Sequence, residues 1–118
     1  MYTLFLDDIR SPTRGLEDVK LARNSQEAVD IVIKDGVPKV ISFDYNLGYC
    51  QRNGSWFMKW LFREHRDGVL DLNKVERVII HSSDLVYCKE LKDLWDNNAD
   101  FRLSSGVTAE IDIRHDWS

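Results

Sequence analysis

Three apolar runs, each stopping abruptly on residues that can do chemistry, constrain this chain more than any other feature. They are Leu-Phe-Leu-Asp-Asp-Ile-Arg at 4–10, Ile-Ser-Phe-Asp-Tyr-Asn-Leu-Gly at 41–48 and Val-Ile-Ile-His-Ser-Ser at 78–83. A short apolar run bounded by polar residues reads as a strand buried on both faces, the pattern of a parallel sheet. Such sheets gather their C-terminal strand ends at one edge, where ligands bind. Asp7, Asp8, Asp44, His81 and Ser82 then converge, although dozens of residues separate them in sequence.

Between these strands the chain reads as helices. Residues 2–6 form the first strand, and Ser11-Pro12 and Gly15 mark 7–15 as loop. A short strand is expected at 19–22. Asn24-Ser25 then caps a helix to about residue 34, with Ala28, Val29, Ile31, Val32 and Ile33 as its apolar side. Gly36 and Pro38 close it. A strand at 39–43 delivers Asp44. After a polar loop at 45–54, Ser55 is expected to cap a helix whose Trp56, Phe57, Trp60 and Leu61 form a core stripe.

Residues 71–77 lead into the strand at 78–80. A charged helix at 85–97 turns Leu85, Cys88, Leu91, Leu94 and Trp95 inward. The alternation at 109–114 suggests an edge strand with one wet face, and 101–103 another short strand. Strands alternating with helices argue a three-layer α/β sandwich, and 118 residues suit one domain over 1–118.

Composition narrows the function classes. With 43% hydrophobic and 31% charged residues, the chain reads as a soluble globular protein. No apolar stretch approaches the ~20 residues that span a bilayer. The N-terminus also lacks the order of a secretory signal, so a cytoplasmic location is expected. A formal net charge of −4 gives no reason to expect general nucleic-acid binding. Arg10, Arg14, Lys20 and Arg23 read as a solvated face. Cys50 and Cys88 suggest neither a disulfide framework nor a close-spaced zinc site. No phosphate-cradling glycine loop occurs, which excludes nucleoside triphosphate chemistry of that type.

The converging residues suit phosphate chemistry. Carboxylates facing one pocket repel unless a proton or cation intervenes, so Asp7, Asp8 and Asp44 make a candidate Mg²⁺ or Mn²⁺ site. A histidine ending a buried strand can act as general acid or base near neutral pH, the role expected of His81. Ser82 can hydrogen-bond a phosphate oxygen. Arg10 adds a forked cation suited to gripping phosphate. Phe43 and Trp56 read as packing residues.

At these positions the chain resembles the receiver-like superfamily, and within it the cyclic-phosphate-processing receiver-like domain of bacteria and their phages. The resemblance rests on Leu6-Asp7-Asp8-Ile9-Arg10-x-Pro12, Ser42-Phe43-Asp44-x-Asn46-Leu47-Gly48 and His81-Ser82, about two-thirds of the chain. It implies a receiver-like, flavodoxin-like sandwich with a mainly parallel sheet, a loop replacing the first helix. It also implies a hydrolase, a small phosphoesterase acting on cyclic phosphates of nucleotide or ADP-ribose type.

That family pattern places Asp7, Asp8, Arg10, Asp44, His81 and Ser82 in the pocket. Of the residues here, Asp8, Asp44, His81 and Ser82 are expected to be catalytic, and Asp7, Arg10 and Asn46 to contact the substrate. The ligand would be a small cyclic phosphate or nucleotide, with a protein partner allowed and no membrane. Two positions depart from the pattern. Asn46 stands where the family commonly has a second aspartate, and Ser83-Asp84 replaces the usual Asn-Pro. Two alternatives follow. One is an inactive binding or inhibitory module on the same scaffold, with Trp117 as an anchor. The other is a phosphoacceptor receiver phosphorylated on Asp44. That second alternative expects a lysine at the end of strand five, whereas the last lysine in the chain is Lys92, inside the predicted helix.

Overall fold

Stretches of three or four residues, most of them rich in Leu, Ile, Val and Phe, pair because their branched and aromatic side chains fit a pleated surface. In the computed structural model, which describes residues 2–7, 18–44, 53–81, 85–97 and 106–112, they build one parallel sheet. Its strands are β1 (Thr3–Leu6), β2 (Val19–Ala22), β3 (Val40–Phe43), β4 (Arg77–Ile80) and β5 (Ala109–Ile111). The order is β2-β1-β3-β4-β5. The helices are α1 (Ser25–Asp35), α2 (Gly54–Arg66) and α3 (Leu85–Asp96), with a 3₁₀ turn at Leu72–Lys74. This is the α/β, receiver-like architecture expected from the sequence. The loop expected in place of a first helix, and the strand expected at 101–103, lie outside the described residues.

Alternation divides the sheet into two faces. Leu4, Leu6, Ile41, Phe43, Val78 and Ile80 point to the first. There they form one core with Val29 and Val32 of α1, Phe57 and Leu61 of α2, and Leu91 and Trp95 of α3. Phe43 anchors it, with ring centroids 5.9 Å from Phe57 and 6.4 Å from Trp95. Each fully buried side chain of this kind contributes about 1.5–3 kcal/mol. Phe5, Ser42 and Ile79 point to the second face and are also buried. A strand apolar on both faces is what the uninterrupted runs require.

Helix ends follow from capping chemistry, with one correction. Asn24 caps α1 by accepting from the Glu27 backbone N–H at 2.8 Å, and Gly36 ends it at a φ of +86°. At α2 the cap is Asn53, not Ser55. The Asn53 side chain accepts from the Trp56 N–H at 3.1 Å, and the Ser55 hydroxyl donates to that same Asn53 oxygen at 2.6 Å.

Two helical faces also differ from expectation. Ile33 is 69% exposed and Leu85 49%. Ile33 lies one residue past Val32 and rotates away from the sheet. Leu85 opens α3 above the point where it meets the core, and Cys88 is its first buried residue. Met58 and Phe62 join the core in addition to the expected stripe. Among the described residues, no helix is long and apolar enough to cross a membrane.

Candidate active site at the sheet edge

The register aligns all five strands at their C-terminal ends. Leu6 lies opposite Ala22 and Phe43, Phe43 opposite Ile80, and Ile80 opposite Ile111. The next residue on each strand therefore falls in one row: Arg23, Asp7, Asp44, His81 and Asp112. Ladder hydrogen bonds hold that row. The Asp7 N–H donates to Ala22 at 3.0 Å, Asp44 to Leu6 at 2.9 Å, His81 to Phe43 at 2.9 Å and Asp112 to Ile80 at 2.7 Å. Backbone pairing thus fixes the start of each polar side chain.

Strand order makes this row a binding edge. Between β1 and β3 the direction of strand addition reverses, and ligands of open parallel sheets sit in the crevice at such a reversal. Asp7 and Asp44 flank it. Both are buried, at 1% and 7% exposure. Two carboxylates on neighbouring strands at this depth call for compensating positive charge or hydrogen bonds.

Part of that compensation comes from His81, itself 1% exposed. Its ring lies across β3, so its two nitrogens meet different strands. Nε2 is 3.0 Å from Asp7 Oδ2, and Nδ1 is 2.6 Å from Ser42 Oγ. Beneath, the Phe5 ring stacks on the imidazole. An ionised carboxylate only accepts, so the Asp7 contact places a hydrogen on Nε2. Nδ1 then accepts from the Ser42 hydroxyl. On the other flank, the Arg23 Nη1 donates to the Asp7 backbone carbonyl at 3.4 Å.

The structure therefore brings together three of the residues singled out from sequence: Asp7, Asp44 and His81. The others, Asp8, Arg10, Asn46 and Ser82, lie outside the described residues, as does Cys50. Among the described residues no group of three or more His, Cys, Asp or Glu side chains is arranged to hold a metal ion. Asp7 and Asp44 nonetheless are hard oxygen donors of the type that Mg²⁺ takes.

Sequence reading missed three members of this edge: Ser42, Arg23 and Asp112. Arg23 and Asp112 each follow a strand directly. Ser42 lies two residues before Asp44, so strand periodicity puts both on one face.

Residues 2–97 match the family model of the cyclic-phosphate processing receiver domain. The chain belongs to this family. No curated protein and no solved structure matches it. The family match contains Asp7, Asp44, His81 and Ser42, while Asp112 lies beyond it. This member of the cyclic-phosphate processing receiver family presents two carboxylates and a histidine at its sheet edge, groups that can exchange protons.

Proposed function

We propose that this chain is a small phosphoesterase that hydrolyses cyclic phosphates of nucleotide or ADP-ribose type. The observation that carries the reading is the placement of Asp7, Asp44 and His81 at the ends of three adjacent parallel strands, with both carboxylates flanking the crevice. Membership of the cyclic-phosphate processing family supports a cyclic phosphate as the class of substrate.

In the reaction, a water oxygen attacks phosphorus and the bond from phosphorus to one ring oxygen breaks, leaving a phosphomonoester. Asp44 orients the water and takes its proton. The Asp7–His81 pair, in the state that holds one proton more than the neutral imidazole and carboxylate, gives that proton to the leaving oxygen and regains it from the one Asp44 took. Arg10 grips the non-bridging oxygens, Ser82 donates a hydrogen bond to one of them, and Asp8 and Asn46 complete the substrate contacts. Where a Mg²⁺ or Mn²⁺ ion takes part, Asp7, Asp8 and Asp44 would hold it, and it would neutralise charge on the phosphate.

A phosphoacceptor role for Asp44 has less support. The residue after β5 is Asp112, a carboxylate where phosphoacceptor receivers are expected to carry a lysine. It would repel a phosphoryl group rather than pair with it.

Phosphorus NMR tests the proposal. The panel is 2′,3′-cyclic nucleotides, 3′,5′-cyclic nucleotides and ADP-ribose cyclic phosphate, each with Mg²⁺, Mn²⁺ or EDTA. Ring opening of at least one substrate is expected. No turnover by the folded protein would replace the enzyme with a binding module on the same scaffold.

A further inference from the structure

Ser42 is the one hydroxyl in the apolar run Val40–Phe43, and it has no exposure to solvent. Its Oγ lies 2.6 Å from His81 Nδ1, and His81 Nε2 lies 3.0 Å from Asp7 Oδ2. Hydroxyl, imidazole and carboxylate therefore stand in the order found in nucleophilic hydrolases. The resemblance ends there. A nucleophile needs contact with substrate, and the Ser42 oxygen is sealed within the sheet. Its hydroxyl serves the histidine.

We infer that Ser42 is a positioning residue that, together with Asp7, holds the His81 ring turned so that its two nitrogens, rather than its two ring carbons, meet β3 and Asp7. Three observations carry this. An imidazole can be turned over about its Cβ–Cγ bond, so ring orientation is set only by its hydrogen-bond partners and packing. The Phe5 ring, 4.4 Å away and 11° from parallel, fixes the plane of the imidazole. Stacking does not distinguish the ring from its turned-over form, which would place ring carbons where the two nitrogens stand. Ser42 does, because its hydroxyl approaches from β3, next to β4, and bonds a nitrogen but not a carbon. Asp7 keeps the hydrogen on Nε2, and the Ser42 hydroxyl holds the Nδ1 side of the ring.

This inference rests on the phosphoesterase reading for its effect on rate, but not for its effect on the ring. Ser42→Ala removes the hydroxyl and adds nothing to the core. Ser42→Thr restores the hydroxyl, and a β-branched residue suits a strand. The test is ¹⁵N NMR of the histidine side chains in the wild type, Ser42→Ala and Ser42→Thr proteins. His81→Gln identifies the His81 signals. His65 is an internal standard, since its Nδ1 accepts from the Leu72 N–H at 3.1 Å and it too carries its hydrogen on Nε2.

The wild type and Ser42→Thr should show protonated Nε2 and a hydrogen-bonded, unprotonated Nδ1 at His81, and Ser42→Ala a shifted Nδ1 signal and broadened lines, as the ring loses its second anchor. In parallel, hydrolysis of a 2′,3′-cyclic nucleotide should lose ~10- to 100-fold in kcat with unchanged KM in Ser42→Ala, the usual cost of an orienting group, and recover in Ser42→Thr. An unaltered His81 signature in Ser42→Ala overturns the inference, as does full kcat in that variant. Altered nitrogen signals in a protein that opens no cyclic phosphate would overturn the proposed function, while the signals themselves would uphold the positioning of His81.

Discussion

The imidazole of His81 lies flat on the ring of Phe5, with centroids 4.4 Å apart and planes 11° from parallel. The two residues sit on strands separated by β3, so the histidine reaches across a whole strand to make the contact. A buried aromatic stack contributes about 0.5–1.5 kcal/mol beyond its area. Phe5→Leu keeps an apolar filler but removes the flat support. We expect a loss of about 1–2 kcal/mol in urea unfolding and a disproportionate loss of activity. Ile79→Val, buried on the same face, should lose stability without that loss of activity.

The Asp7–His81 contact is buried on both sides, with side chains 1% and 0% exposed. Removing one partner of such a pair costs about 3–5 kcal/mol, while removing both can be nearly neutral. His81→Leu should therefore destabilise the fold strongly, and adding Asp7→Asn should recover part of the loss. Four chemical-denaturation curves complete the cycle, and a coupling near zero would show that the two side chains act independently.

Tyr2 provides an alkaline signature. Its hydroxyl donates to the Gly36 carbonyl at 2.6 Å. Burial, and secondarily the Asp35 carboxylate, push its pKa well above the ordinary tyrosine value. A raised folded-state pKa means the neutral form is favoured by folding. The resulting stability is complete below the unfolded pKa near ~10 and is lost as pH rises above it. Denaturation midpoints should fall above that pH in the wild type. Tyr2→Phe should flatten the dependence, at a neutral-pH cost of about 1 kcal/mol.

Asn53 joins two helices at their starts. It caps α2, and its backbone carbonyl accepts from the buried Ser25 hydroxyl of α1 at 3.0 Å. Asn53→Ala should cost about 1 kcal/mol, in the usual range for a lost N-cap. Ser55→Ala should cost less, because it leaves the Asn53–Trp56 bond in place. Thermal unfolding of the two variants distinguishes the cap from its neighbour.

Much of the fold was legible because runs such as Val78–Ile80 are apolar on both faces and stop at once on a polar residue. The same abrupt stops located Asp7, Asp44 and His81. Helix faces were less legible where apolar residues are too dense to define one stripe. In Ile31-Val32-Ile33 the sequence offers three candidates, and only packing against the sheet selects Val32 as fully buried. The α2 cap was misplaced at Ser55 because a serine there can also accept from a helix N–H, whereas Asn53, two residues earlier, takes the role. Ser42 was hidden more deeply. A lone hydroxyl in a strand carries no signal of its own, and its partner is 39 residues away. That contact exists only because His81 leans back across β3, a tertiary choice that residue spacing does not encode.

The central claim is hydrolysis of a cyclic phosphate at the Asp7–Asp44–His81 edge. The most direct test is phosphorus NMR of a 2′,3′-cyclic nucleotide incubated with the protein in ¹⁸O-enriched water, beside His81→Ala and Asp44→Asn. The account predicts a phosphomonoester carrying one ¹⁸O on phosphorus, formed by the wild type and lost in both variants. A product without label, turnover that survives in both variants, or no product from the folded wild type would contradict it.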